Sequence, residues 1–69
     1  MSDNVYKLIE VTGTSKSSLE DAIEVALARA GRTVRQMRWF EVTEIRGSID
    51  EDKVAQWQVS LKIGFNLED

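Results

Sequence analysis

Cysteine, histidine and proline are all missing from the 69 residues of this chain. Without cysteine no disulfide can staple the fold, and without cysteine or histidine a structural zinc site loses its usual ligands. No run approaches the roughly 18 apolar residues of a membrane-spanning helix. The opening "MSDNVYKLIE" lacks a signal-peptide layout, so no membrane association and a cytoplasmic location are expected. Positive charge is also scarce: nine Lys and Arg against twelve Asp and Glu leave a net charge of −3. That balance argues against general nucleic-acid binding, although Arg29, Arg32, Arg35 and Arg38 recur at every third position. With no low-complexity tract, internal repeat or break in composition, residues 1–69 read as one domain. A domain this small buries too little surface to be robust alone, which leaves association between copies as its reinforcement.

What is present is a clear alternation of patterns. Residues 4–12, "NVYKLIEVT", read as a strand with Val5, Ile9 and Val11 on one face, interrupted by Lys7. Tyr6, Leu8 and Glu10 share the other face, which is more apolar than a lone sheet surface should be. "GTSKSSLE" reads as a turn into a helix, with Ser17 and Glu20 at capping-box spacing and Ser15 as the other N-cap candidate. Leu19, Ala22, Ile23, Ala26, Leu27 and Ala30 then form one apolar stripe of helical period, ending near Gly31 and fraying to about Thr33. Asp21 and Glu24 near its start and Arg29 and Arg32 at its end complement the helix dipole.

Two longer strands follow, roughly 36–47 and 54–67, joined by "SIDEDK". Strict alternation sets Arg38, Phe40, Val42, Glu44 and Arg46 against Met37, Trp39, Glu41, Thr43 and Ile45. In the last strand Trp57, Val59, Leu61, Ile63, Phe65 and Leu67 form an apolar face, and Gln56, Gln58, Ser60, Lys62, Gly64 and Asn66 a polar one. The expected core is Phe40 and Val42 with the odd positions 57–67, closed by the helix stripe. The β-α-β-β order with the last strand in the middle makes an α+β fold: a three-stranded antiparallel sheet covered on one face by one helix.

Neighbouring strand residues point to opposite faces, so Trp39 and Phe40 cannot both serve one core. Phe40 is assigned inward, and Trp39 falls on the uncovered face, opposite the polar row containing Gln58. An indole there is either an anchor for subunit packing or a stacking platform for a flat aromatic ligand. In the second case a nearby glutamine amide, donor and acceptor together, suits the edge of a pyrimidine-like ring. Both readings hold if the ligand lies between subunits.

"VTGTS", "RWFEVTEIRG", "QWQVSLKIGF" and the closing "NLED" resemble the dodecins, small bacterial and archaeal flavoproteins, over essentially the whole chain. The resemblance implies a hollow homododecamer that binds flavin between symmetry-related tryptophans, with Trp39 stacking on the isoalloxazine and Gln58 bonding to its pyrimidine edge. It further implies that Arg46 belongs to the flavin pocket. Lys7, Arg29 and Arg32 match positions that contact phosphates of FMN or of coenzyme A. For Arg29 and Arg32 the alternative is charge complementarity at the helix end. Two positions depart from the family pattern. Asn66 stands where bacterial relatives end "GFRLE", removing a planar cation that closes over the flavin. Arg38 replaces an acidic residue and adds positive charge toward an FMN phosphate, although alternation aims it away from Trp39 unless a bulge re-aims it.

The expected function is therefore storage or sequestration of FMN or riboflavin, with FAD as a further candidate. The alternatives are an oligomeric interaction module or a coenzyme A-binding assembly in which Trp39 is a packing anchor. An enzyme is not expected. The serines have no base at a recognisable spacing, and Glu41 and Glu44 are assigned to opposite faces. The acidic run at 50–52 reads as a hairpin tip rather than a cation site.

Overall fold

The computed structural model describes residues 3–67, in which β1 (Val5–Ser15), α1 (Leu19–Ala30), β2 (Met37–Asp50) and β3 (Lys53–Leu67) follow one another. The three strands pair antiparallel in the order β1-β3-β2, as the patterning predicts. β3 is central because it is the strand with an unbroken apolar face: Val59, Leu61 and Ile63 are fully buried. With Ala22 and Ala26 of α1 they form the core, and Ile9, Val11, Leu19, Ile23, Leu27 and Val42 pack around it. The alanine stripe lets the helix lie close on the sheet. At Gly13 of β1 the approach is so close that a Cβ would run into the Ala22 carbonyl and come within 2.8 Å of the Ala26 Cβ.

Local details differ from the sequence reading. The helix N-cap is Ser18, whose Oγ accepts from the Asp21 backbone N–H at 3.0 Å, rather than Ser17. Ser15 is buried instead: its Oγ accepts from the Ser17 and Ser18 N–H groups and donates to Asp21 Oδ2 at 2.7 Å. The strands are longer than expected, because pairing continues to Asp50–Lys53 and leaves only Glu51 and Asp52 in the turn. Both have positive φ, 50° and 64°, the conformation that matches a two-residue hairpin turn to strand twist.

The larger correction comes from bulges. β2 carries one extra residue at Arg38 and another at Thr43, and β3 one at Ala55. Each extra residue reverses the in-and-out order beyond it. Met37 and Ile45, expected beside Trp39, pair with Phe65 and Val59 on the helix side. Glu44 and Arg46 pair with Ser60 and Gln58 on the open side, so Glu41 and Glu44 share that face after all.

α1 packs mainly on β1 and β3, and toward β2 only side chains meet its C-terminal end, where Leu27 lines one cavity with Met37 and Phe40. Phe40 is on the expected face, opposite Ile63, yet 45% exposed. Ile45, Ile49 and Val54 continue the same uncovered row, Ile49 being 78% exposed. The molecule measures 56 × 20 × 13 Å with a radius of gyration of 14.4 Å, against about 11 Å for a globule of this length. Its accessible surface of 5302 Å² likewise exceeds the roughly 4,400 Å² usual for this mass.

Candidate functional site

The open face of the sheet carries two groups of candidate residues, one toward each end. At the first end the bulge at Arg38 brings Trp39 opposite Gly64. The indole lies over the glycine: a Cβ at Gly64 would strike the Trp39 ring atoms Cε2, Cζ2 and Cδ2. An aromatic laid across a cross-strand glycine covers backbone that no other side chain protects. Tyr6 of β1 packs its ring edge-on against the indole, centroids 4.8 Å apart and planes at 67°. Trp39 is therefore held from beneath by Gly64 and from the side by Tyr6, and is still 43% exposed. Asn66 sits at the same end, opposite Tyr6. Its backbone N–H donates to the Gln36 carbonyl at 3.0 Å, while its side-chain Oδ1 is buried without a hydrogen-bond partner among the described residues.

Gln58 occupies the other end. It pairs with Arg46 of β2, and Arg46 Nε donates to Gln58 Oε1 at 2.7 Å. Arg46 Nη1 also donates to Glu44 Oε1 at 3.1 Å in an ion pair whose side chains are both 56% exposed. Between the two ends runs a polar strip in which Thr12 and Ser60 hydroxyls meet at 2.9 Å and the Thr43 hydroxyl donates to Glu10 Oε2 at 3.0 Å. Five residues of β3 lie between Gly64, under the indole, and Gln58, a Cα separation of roughly 20 Å along an extended strand.

The sequence-derived candidates thus divide into three groups. Trp39 and Asn66 share one end of the open face, with Arg38 at the adjoining bulge. The Arg38 guanidinium donates to Gln36 Oε1 and to the Met37 carbonyl. Gln58 and Arg46 are joined at the far end. Lys7 pairs with Phe65 on the helix side of the sheet, where Arg29 closes α1 and Arg32 follows it, so these three do not face Trp39. Among the described residues no three acidic side chains converge to hold a metal ion.

Sequence reasoning passed over Gly64, Tyr6 and Glu44. An isolated glycine within a regular strand is a sign of close approach, and Gly64 carries it. Tyr6 was visible as surplus apolar surface. Glu44 had no such sign, because its face depends on the bulge at Thr43.

A family model described as "Dodecin" matches residues 5–68. The dodecin of Thermus thermophilus is 55% identical over 65 residues, 94% of each chain. The solved dodecin of Streptomyces coelicolor is 48% identical and superposes with a TM-score of 0.94, covering 100% of this chain and 99% of its own. The calcium dodecin of Mycobacterium tuberculosis, solved with what is described as a novel calcium-binding site, is 31% identical with a TM-score of 0.80, covering 93% of this chain and 91% of its own.

Proposed function

The chain belongs to the dodecin family, and from that premise we propose that it is an oligomeric flavin-binding protein that stores or sequesters FMN or riboflavin. The observation that carries the reading is the Trp39 indole, laid over Gly64, packed against Tyr6 and still 43% exposed on the open face of the sheet. Gln58 lies roughly 20 Å from Gly64 along the same face, a separation that favours a pocket built from two copies: Trp39 of one and the Gln58–Arg46 pair of another. A homododecamer of the family type supplies such a pairing. The row of Phe40, Ile45, Ile49 and Val54, left uncovered by α1, gives the subunits apolar surface to bury against one another. Asn66 Oδ1, a buried acceptor without a hydrogen-bond partner among the described residues, lies at the same end of the sheet.

A phosphate of FMN or of FAD meets Arg38 at the bulge, and Lys7, Arg29 and Arg32 on the opposite side of the sheet form a separate basic end suited to coenzyme A. Storage in the cytoplasm fits better than catalysis. A flavin stacked against an indole has one face closed to substrate, and the open face offers no cysteine or histidine nucleophile.

Titration of riboflavin, FMN and FAD with purified protein, read by flavin fluorescence quenching and paired with light scattering, tests the reading. Strong quenching by an assembly of about twelve chain masses is expected. An assembled protein that leaves flavin fluorescence unchanged would exclude it. The uncovered apolar row favours one alternative, in which Trp39 is a packing anchor. That alternative holds if Trp39→Ala disassembles a protein that never quenched flavin.

A further inference from the structure

Arg46 touches two side chains with two different donors: Nη1 goes to Glu44 Oε1 at 3.1 Å and Nε to Gln58 Oε1 at 2.7 Å. A primary amide has one accepting and one donating end, and the two orientations related by a half-turn differ only in what their neighbours offer. An N–H aimed at Gln58 removes that equivalence. With Oε1 toward Arg46 a hydrogen bond forms, whereas the reversed amide would set NH2 against N–H. A guanidinium on a flexible stem holds such an aim poorly alone. Glu44 lies two residues back on the same face of β2, which the Thr43 bulge turns to the open side with Gln58, and restrains the far side of the guanidinium. The pair is more than half exposed, so its contribution to stability is small. Its effect is on direction.

We propose that Glu44 is a positioning residue which, through Arg46, fixes the Gln58 amide with its oxygen toward β2 and its NH2 away from Arg46. The inference rests on the flavin reading above and adds a selection rule to it. In a pyrimidine-type edge a ring N–H lies between two carbonyls, so an amide free to flip pairs with the N–H and either carbonyl. For a ring whose orientation its side chain sets, the fixed amide pairs with one, and the bound ring has a single register. Ligands without the N–H, or with the reverse order of donor and acceptor, lose one of the two bonds.

Riboflavin is the probe, because it lacks the phosphate whose repulsion from Glu44 would mask the effect. Glu44→Ala is expected to weaken riboflavin binding about three- to tenfold, with assembly size and thermal midpoint unchanged. Glu44→Gln should recover most of the affinity, since its amide oxygen still accepts from Arg46 Nη1. In a Gln58→Ala background the Glu44→Ala change should cost nothing more, because there is no amide left to orient. A ligand-free crystal structure of Glu44→Ala should show Arg46 Nε parted from Gln58. An unchanged affinity, an additive loss in the double variant, or an undisturbed Arg46–Gln58 contact would each overturn the proposal. If the wild-type protein fails to quench riboflavin but the guanidinium still parts from Gln58 in the variant, the flavin reading falls and the positioning role stands.

Discussion

The two ends of the open sheet face are built by different means. Trp39 is held by shape: a glycine beneath it and a tyrosine ring packed against it, next to the bulge at Arg38. Gln58 is held by polar contacts, through an arginine that a carboxylate steadies in turn. The first arrangement depends on atoms being absent, since any side chain at Gly64 would occupy the place of the indole. The second depends on donors and acceptors being matched and tolerates changes in bulk. Steric sites therefore fail abruptly on substitution, and hydrogen-bonded ones by degrees.

The contrast is tested most sharply at the platform. Trp39→Ala should leave the fold intact and remove about 2–4 kcal/mol of flavin binding, the range for losing a central aromatic anchor. Fluorescence quenching should vanish while circular dichroism is preserved. Phe40→Ala is the control: its ring is on the helix side and half-exposed in the single chain, so the loss should appear as a smaller assembly in light scattering. Gly64→Ala comes next. The new Cβ drives the indole off the sheet, and overpacking of this kind costs about 1–3 kcal/mol of stability. A lower thermal midpoint and weaker quenching should occur together, and an unaltered midpoint would show that Trp39 can move aside freely. At the polar end Gln58→Ala should weaken flavin binding by about 1–3 kcal/mol without touching assembly, as titration calorimetry would show. The smallest effect is expected from Asn66→Arg. It removes the orphaned Oδ1 and supplies a planar cation beside Trp39, tightening flavin binding by about 1 kcal/mol. Equal or weaker affinity would mean that the platform needs no such lid.

Much of this arrangement was legible in the residues themselves. The helix stripe from Leu19 to Ala30, the apolar odd positions of β3 and the β1-β3-β2 order all follow from periodicity and from the need to bury one face. Trp39 and Gln58 were set on the open face by the same alternation. The alternation misplaced Met37, Glu44, Ile45 and Arg46, because a bulge is decided by how β2 meets β3 and no local signal marks Arg38 or Thr43 as the extra residue. Phe40 was assigned to the right face but to too deep a position. How far α1 extends across the sheet depends on tertiary packing, and it covers β2 only near Met37, leaving Phe40, Ile45 and Ile49 exposed. The separation of Trp39 from Gln58 is likewise a matter of register along β3, which alternation leaves open.

Between the Met37–Phe65 and Ser48–Gln56 pairs, β2 runs through twelve residues where β3 runs through ten. A strand longer than its partner cannot lie straight beside it, so β2 must bow outward, twisting more tightly at each extra residue. β2 is also an edge strand, fourteen residues long and carrying the exposed Ile45 and Ile49. Left flat, such an edge offers unpaired N–H and C=O groups in even spacing, a template on which strands of other molecules add without limit. The bowing interrupts that spacing at Arg38 and again at Thr43. The bulges that set Met37 apart from Trp39 and turn Arg46 to the open face thus also leave β2 a less regular template for strand addition along its free edge.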